Sequence, residues 1–169
     1  MRVVRLLPFA LLFAAPAHAG ELFAGLHKHA VDTPLSLSGG DEEGVDLSLG
    51  YRWAGLGRTG LQPYAFAALN SAGDTSYAAA GLSYRFGGKL YLRPGLGLAI
   101  HNGSARNVTT GEDIDFGSRI LFEPELGVGY QANDRLSVEA SWVHMSHATL
   151  FSSQNPGIDN IGLRVNLML

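Results

Sequence analysis

Apolar side chains alternate with small, polar or charged ones at a period of two through most of this chain, and that pattern admits strands rather than helices. Val45, Leu47, Leu49, Tyr51 and Trp53 share one face of a run whose other face carries Asp46, Ser48, Gly50 and Arg52. The split recurs in Leu90, Leu92, Leu96, Leu98 and Ile100, then in Ile120, Phe122, Pro124, Leu126, Val128 and Tyr130, and finally in Ile161, Leu163, Val165, Leu167 and Leu169. Eight such runs fall near 21–30, 44–54, 61–70, 75–86, 89–102, 114–130, 134–147 and 158–169. Eight is the smallest usual number for a transmembrane barrel, whose tilted strands need about 9–11 residues.

Which face meets solvent follows from the ions. Asp46, Arg52, Arg85, Arg93, Glu123, Glu125, Glu139 and Arg164 all lie on the faces rich in glycine, too few and too small to make a water-facing surface. They suit a narrow interior of paired charges, with the greasy faces turned to lipid. The expected fold is therefore all-β: an eight-stranded antiparallel transmembrane β-barrel of the outer membrane. A soluble barrel would place the apolar faces inside and the charged ones in water.

The first residues agree with export. Arg2 and Arg5 precede an apolar run from Leu6 to Ala15, too short to span a bilayer, and Ala17 and Ala19 form a small-x-small cleavage site. Residues 1–19 are expected to be a signal peptide and residues 20–169 the barrel domain. The chain has no cysteine, so packing, hydrogen bonds and insertion must hold the barrel. A net charge of −3 with scattered Lys and Arg argues against nucleic acid as a partner. The connections Val31–Glu43, Asn102–Asp113 and Ala148–Gly157 are long and the alternate ones short, which assigns the long loops to the outside.

One stretch breaks the lipid-facing pattern. In the seventh run Leu136, Val138, Ala140 and Trp142 lead by twos to His144 and Ser146, and in the eighth Asp159 shares the face of Ile161, Leu163 and Val165. The two runs are consecutive and antiparallel, so Ser146, His144 and Asp159 can converge on the outer face at the outer end. A serine hydroxyl becomes a nucleophile when an imidazole takes its proton, and the imidazole needs an acceptor to fix its tautomer. Read as residues alone, the same cluster could instead bind lipid head groups. His27 and His29 share a face of the first run, but no third metal ligand is in view, so they read as an interior polar pair and no metal is expected. Glu123 and Glu125 read as partners of Arg85, Arg93 or Arg164.

The stretch His144-Met145-Ser146-His147-Ala148, followed by Asn155-Pro156-Gly157-Ile158-Asp159 and a terminal strand, resembles the PagL-type lipid A 3-O-deacylases. The family motif is His-x-Ser-Asn, then an Asn ahead of Gly-Ile-Glu. His147 stands here in place of Asn, and Asp159 in place of Glu. The resemblance implies an outer-membrane hydrolase that removes the ester-linked 3-position acyl chain of lipopolysaccharide. In it Ser146 would be the nucleophile, His144 the base, Asp159 the acid and Asn155 an oxyanion donor, with no cofactor. By alternation His147 points inward and is no second base. The expected partners are lipid A as substrate and outer-membrane lipids, with a homodimer as a further option. The alternatives are a non-catalytic lipopolysaccharide-binding or structural barrel, and acyl transfer to another lipid, for which the charged interior leaves no room.

Overall fold

In a computed structural model, residues 20–36, 42–107, 114–148, 150 and 156–169 are described. The expected signal segment 1–19 and Asn155 lie outside them. The strands are β1 (Glu21–Lys28), β2 (Val45–Arg52), β3 (Gln62–Asn70), β4 (Tyr77–Ser83), β5 (Leu90–His101), β6 (Ile120–Gln131), β7 (Leu136–Met145) and β8 (Ile158–Met168), with Phe86–Gly87 a two-residue continuation of β4. Each pairs antiparallel with the next, and β1 pairs with β8, so the sheet closes on itself. Closure leaves no free strand edge in lipid, where an unpaired backbone group costs several kcal/mol.

Two strand limits differ from the sequence pattern by more than two residues. The fourth run breaks after Ser83 because Tyr84 lies opposite Pro94: the Tyr84 amide donates to the Pro94 carbonyl at 3.0 Å, but proline has no N–H to return. The sixth run begins at Ile120 instead of 114. Residues 114–119 fold irregularly around Gly117, whose φ is +74°, and turn Ile114 and Phe116 into the barrel mouth, where Phe116 meets the His101 ring at 4.6 Å.

The alternation sorts the side chains as expected. Leu26, Leu47, Leu49, Leu96, Leu98 and Leu163 stand exposed on the outer wall, Leu163 at 61%. Asp46, Arg52, Arg93, Glu123, Glu125, Glu139 and Arg164 are buried in the bore. Arg85 is not among them: it is half-buried at the short-loop rim, 3.8 Å above the Tyr91 ring, and donates to the Gly88 carbonyl. Glu21 takes part instead, accepting from Arg52 and, at 2.6 Å, from Arg93. Arg93 also reaches Glu139 at 2.8 Å, and Arg164 reaches Glu125 at 2.9 Å. Glu123 accepts from the Tyr64 hydroxyl rather than from an arginine. The guanidinium groups of Arg52 and Arg164 lie 4.8 Å and 4.7 Å from the Phe23 ring centre.

Removing one partner of such a network strands a buried charge. Arg164→Met, which leaves Glu125 and Glu139 short of a cation, is expected to cost about 3–5 kcal/mol. Urea unfolding in detergent, read by heat-modifiable gel mobility, measures it.

Candidate active site

On β7 the side chains of Trp142, His144 and Ser146 fall on the outer face by twos. Ser146 stands one place beyond the strand end, fixed by a bridge in which its amide donates to the Phe122 carbonyl at 3.1 Å and its own carbonyl accepts from Phe122 at 2.7 Å. The β7–β8 register sets His144 directly opposite Asp159. Residues directly opposite in an antiparallel pair project to one face, so the register brings imidazole and carboxylate together.

The three side chains expected to converge do so. The His144 Nδ1–H donates to Asp159 Oδ1 at 2.9 Å, and the Ser146 hydroxyl lies 3.0 Å from His144 Nε2. With Nδ1 committed to the carboxylate, the neutral ring presents Nε2 as an acceptor to the serine, the arrangement a general base requires.

The site is not open on the wall as alternation alone suggested. His144 and Ser146 are 8% and 9% exposed and Asp159 is 0% exposed, although all three lie on the outer face. The cause is the segment after β1. Ala30 turns the chain with a φ of +50°, the Val31 amide donates to the Asp159 carbonyl at 2.7 Å, and Thr33 and Ser36 pair back on each other. Thr33 donates its hydroxyl to Asp159 Oδ2, and Ser36 donates to the Gly157 carbonyl. This strap covers the carboxylate. Trp142 adds an Nε1–H bond of 2.7 Å to Asp159 Oδ1 and stacks its ring on His144 with centroids 5.9 Å apart. Gly157 leaves room for the imidazole, since a Cβ there would stand 2.8 Å from His144 Cε1.

Thr33 and Ser36 gave no sequence signal, because their role depends on contacts between chain segments more than a hundred residues apart. Gly157 stood in the quoted motif, but its closeness to His144 did not show there. Trp142 was legible only as a neighbour of His144 by twos. His147, expected to point inward, is fully buried. The Ser146 amide donates to the Phe122 carbonyl, so it is not free to bond a ligand beside the hydroxyl.

His27 and His29 are both buried inside, as the pattern implied. His29, one residue past β1, anchors the strap. Its Nε2 meets Glu42 at 2.9 Å, its Nδ1 lies within 3.0 Å of Asp46, and Glu42 in turn accepts from the Thr75 hydroxyl at 2.9 Å. Burial opposes charge on the ring, but the two carboxylates outweigh it and raise its pKa to about 9.

Fold and site together define an eight-stranded bacterial outer-membrane barrel with a Ser-His-Asp cluster on its wall. Residues 43–168 match the family model described as lipid A 3-O-deacylase (PagL). The chain belongs to that family. A solved structure described as the outer membrane enzyme PagL aligns at 21% identity and a TM-score of 0.62, covering 86% of this chain and 97% of that one. A designed transmembrane β-barrel aligns at 11% identity and a TM-score of 0.54, over 89% of this chain and 95% of that one. The Yersinia pestis outer membrane protein Ail aligns at 12% identity and a TM-score of 0.51, over 89% and 99%. At these identities the likenesses carry the fold, whereas membership rests on the family model. No curated protein sequence matches the chain.

A histidine whose pKa is raised by folding stabilises the fold fully below its ordinary value of 6.5 and loses that contribution as pH climbs through about 9. The urea midpoint of the wild type should thus exceed that of His29→Gln by a fixed margin below about pH 6.5, and the margin should shrink toward zero above about pH 9. Paired unfolding curves across that range measure it.

Proposed function

We propose that this protein hydrolyses the ester at the 3-position of lipid A, with Ser146 as nucleophile. The observation that carries the reading is the continuous hydrogen-bond chain from the Ser146 hydroxyl through His144 to Asp159, at 3.0 Å and 2.9 Å. Ser146 Oγ attacks the ester carbonyl while its proton passes to His144 Nε2. Asp159 stabilises the imidazolium so formed. As the tetrahedral intermediate collapses, His144 returns the proton to the departing sugar oxygen, leaving the acyl group on Ser146. A water deprotonated by His144 then releases the free fatty acid and restores the serine.

Asn155 is proposed to donate to the oxyanion, a role the committed Ser146 amide does not fill. The place of the site supports a membrane lipid as substrate. It stands at the outer end of β7 on a wall otherwise lined by leucine, isoleucine and valine, so a lipid of the outer leaflet reaches it by lateral diffusion. Phe122 and Trp142, on the same face, flank the serine with apolar surface along which an acyl chain can lie.

Mass spectrometry of lipid A from an outer membrane carrying the protein is expected to show loss of one ester-linked acyl chain. Ser146→Ala, inserted at the same level, should leave lipid A intact. Asp159→Asn should lower kcat by roughly four orders of magnitude, the effect of losing the carboxylate that orients a triad histidine. Intact lipid A in every sample would instead favour a barrel that binds lipopolysaccharide without cleaving it.

A further inference from the structure

The Asp159 carboxylate receives three side-chain donors, of which only His144 belongs to the triad. His144 Nδ1 and Trp142 Nε1 both bond to Oδ1, at 2.9 Å and 2.7 Å. The torsion that turns an aspartate carboxylate about its last carbon–carbon bond is broad and roughly two-fold, so donors on one oxygen leave its plane poorly fixed. The second oxygen, Oδ2, is held by Thr33.

Thr33 is itself well determined. Its hydroxyl oxygen accepts the Leu35 amide at 3.0 Å, which leaves its one hydrogen to point at Asp159. Its backbone pairs with Ser36 through bonds of 2.7 Å and 3.1 Å, so the turn is closed around it. The turn is tied to the start of β8 on both sides of Asp159, by Ser36 to the Gly157 carbonyl and by the Ala30 amide to Asn160 Oδ1 at 3.0 Å. Nothing in barrel closure requires these bonds, since they add no strand pairing. Their effect is to deliver one hydroxyl to the far oxygen of the triad acid and to exclude water from it.

We propose that Thr33 is a positioning residue of the hydrolytic site, acting through Asp159: it fixes the carboxylate plane so that Oδ1 faces His144. This rests on the proposed triad. An aspartate reaches less far from β8 than a glutamate would, by one methylene, and a carboxylate brought so close to its own strand needs its orientation set from the opposite side. The strap supplies that from β1.

The test compares Thr33→Val, Thr33→Ser and Asp159→Asn, alone and combined, in purified protein whose insertion is verified by heat-modifiable mobility. Thr33→Val should lower kcat about tenfold at unchanged KM, the size expected for one hydrogen bond to a charged group. Thr33→Ser should restore most of the rate. In the Asp159→Asn background, Thr33→Val should cost nothing further, because the group it acts through is gone. Equal loss in both backgrounds, or failure of serine to restore the rate, would make Thr33 a merely structural residue and overturn the proposal. So would an unaltered kcat in Thr33→Val. Thr33→Ala serves the same comparison if valine prevents insertion. Ser146→Ala, run alongside, separates the two claims: full activity there removes the triad itself, whereas activity lost in Ser146→Ala but kept in Thr33→Val removes only the role of Thr33.

Discussion

Backbone amides inside a bilayer have no water to bond, and every other feature of this molecule follows from that constraint. The β1–β8 ladder, running from Glu21 against Met168 to Lys28 against Ile161, closes the sheet and satisfies it. With eight strands the bore is too narrow for a channel and just wide enough for side chains. It is filled by Glu21, Arg52, Arg93, Glu125, Glu139 and Arg164, which neutralise one another across the barrel. Little space is left inside for an acyl chain, which is consistent with the proposed chemistry on the wall.

A wall that faces lipid tolerates polar groups only near its ends. His144, Ser146 and Asp159 stand at the outer end of β7 and the start of β8, and even there they are not left bare. The strap after β1 and the Trp142 indole take up the carboxylate, and the imidazole couples it to the serine. Two of the backbone positions that shape this region, Ala30 and Ala148, hold positive φ values of 50° and 52° without being glycine. Backbone strain of this kind gathers where function demands a particular geometry.

The fold was largely legible in the sequence because a period of two carries its own evidence of which side is which. Leu163 against Arg164 already says outside against inside. The cluster of Ser146, His144 and Asp159 was legible for the same reason: three polar residues violate the lipid-facing rule on neighbouring strands. Other parts were not legible. Arg85 follows the alternation of the fourth run, yet that run ends at Ser83 because of Pro94 on the neighbouring strand, a fact about pairing rather than about the run itself. Glu21 opens β1 with no pattern before it to mark it as interior. Thr33 and Ser36 sit in a loop where no periodicity operates, and their partners are set by which strands the closed sheet makes adjacent.

The central claim is that Ser146 is an activated nucleophile on the lipid-facing wall. An alkyl fluorophosphonate, which reacts preferentially with activated serines, tests it directly when followed by peptide mass spectrometry. The account predicts a single adduct on Ser146 in the wild type, suppressed by excess lipid A and absent from His144→Asn. An adduct on another residue, or none at all while lipid A is still being deacylated, would contradict it.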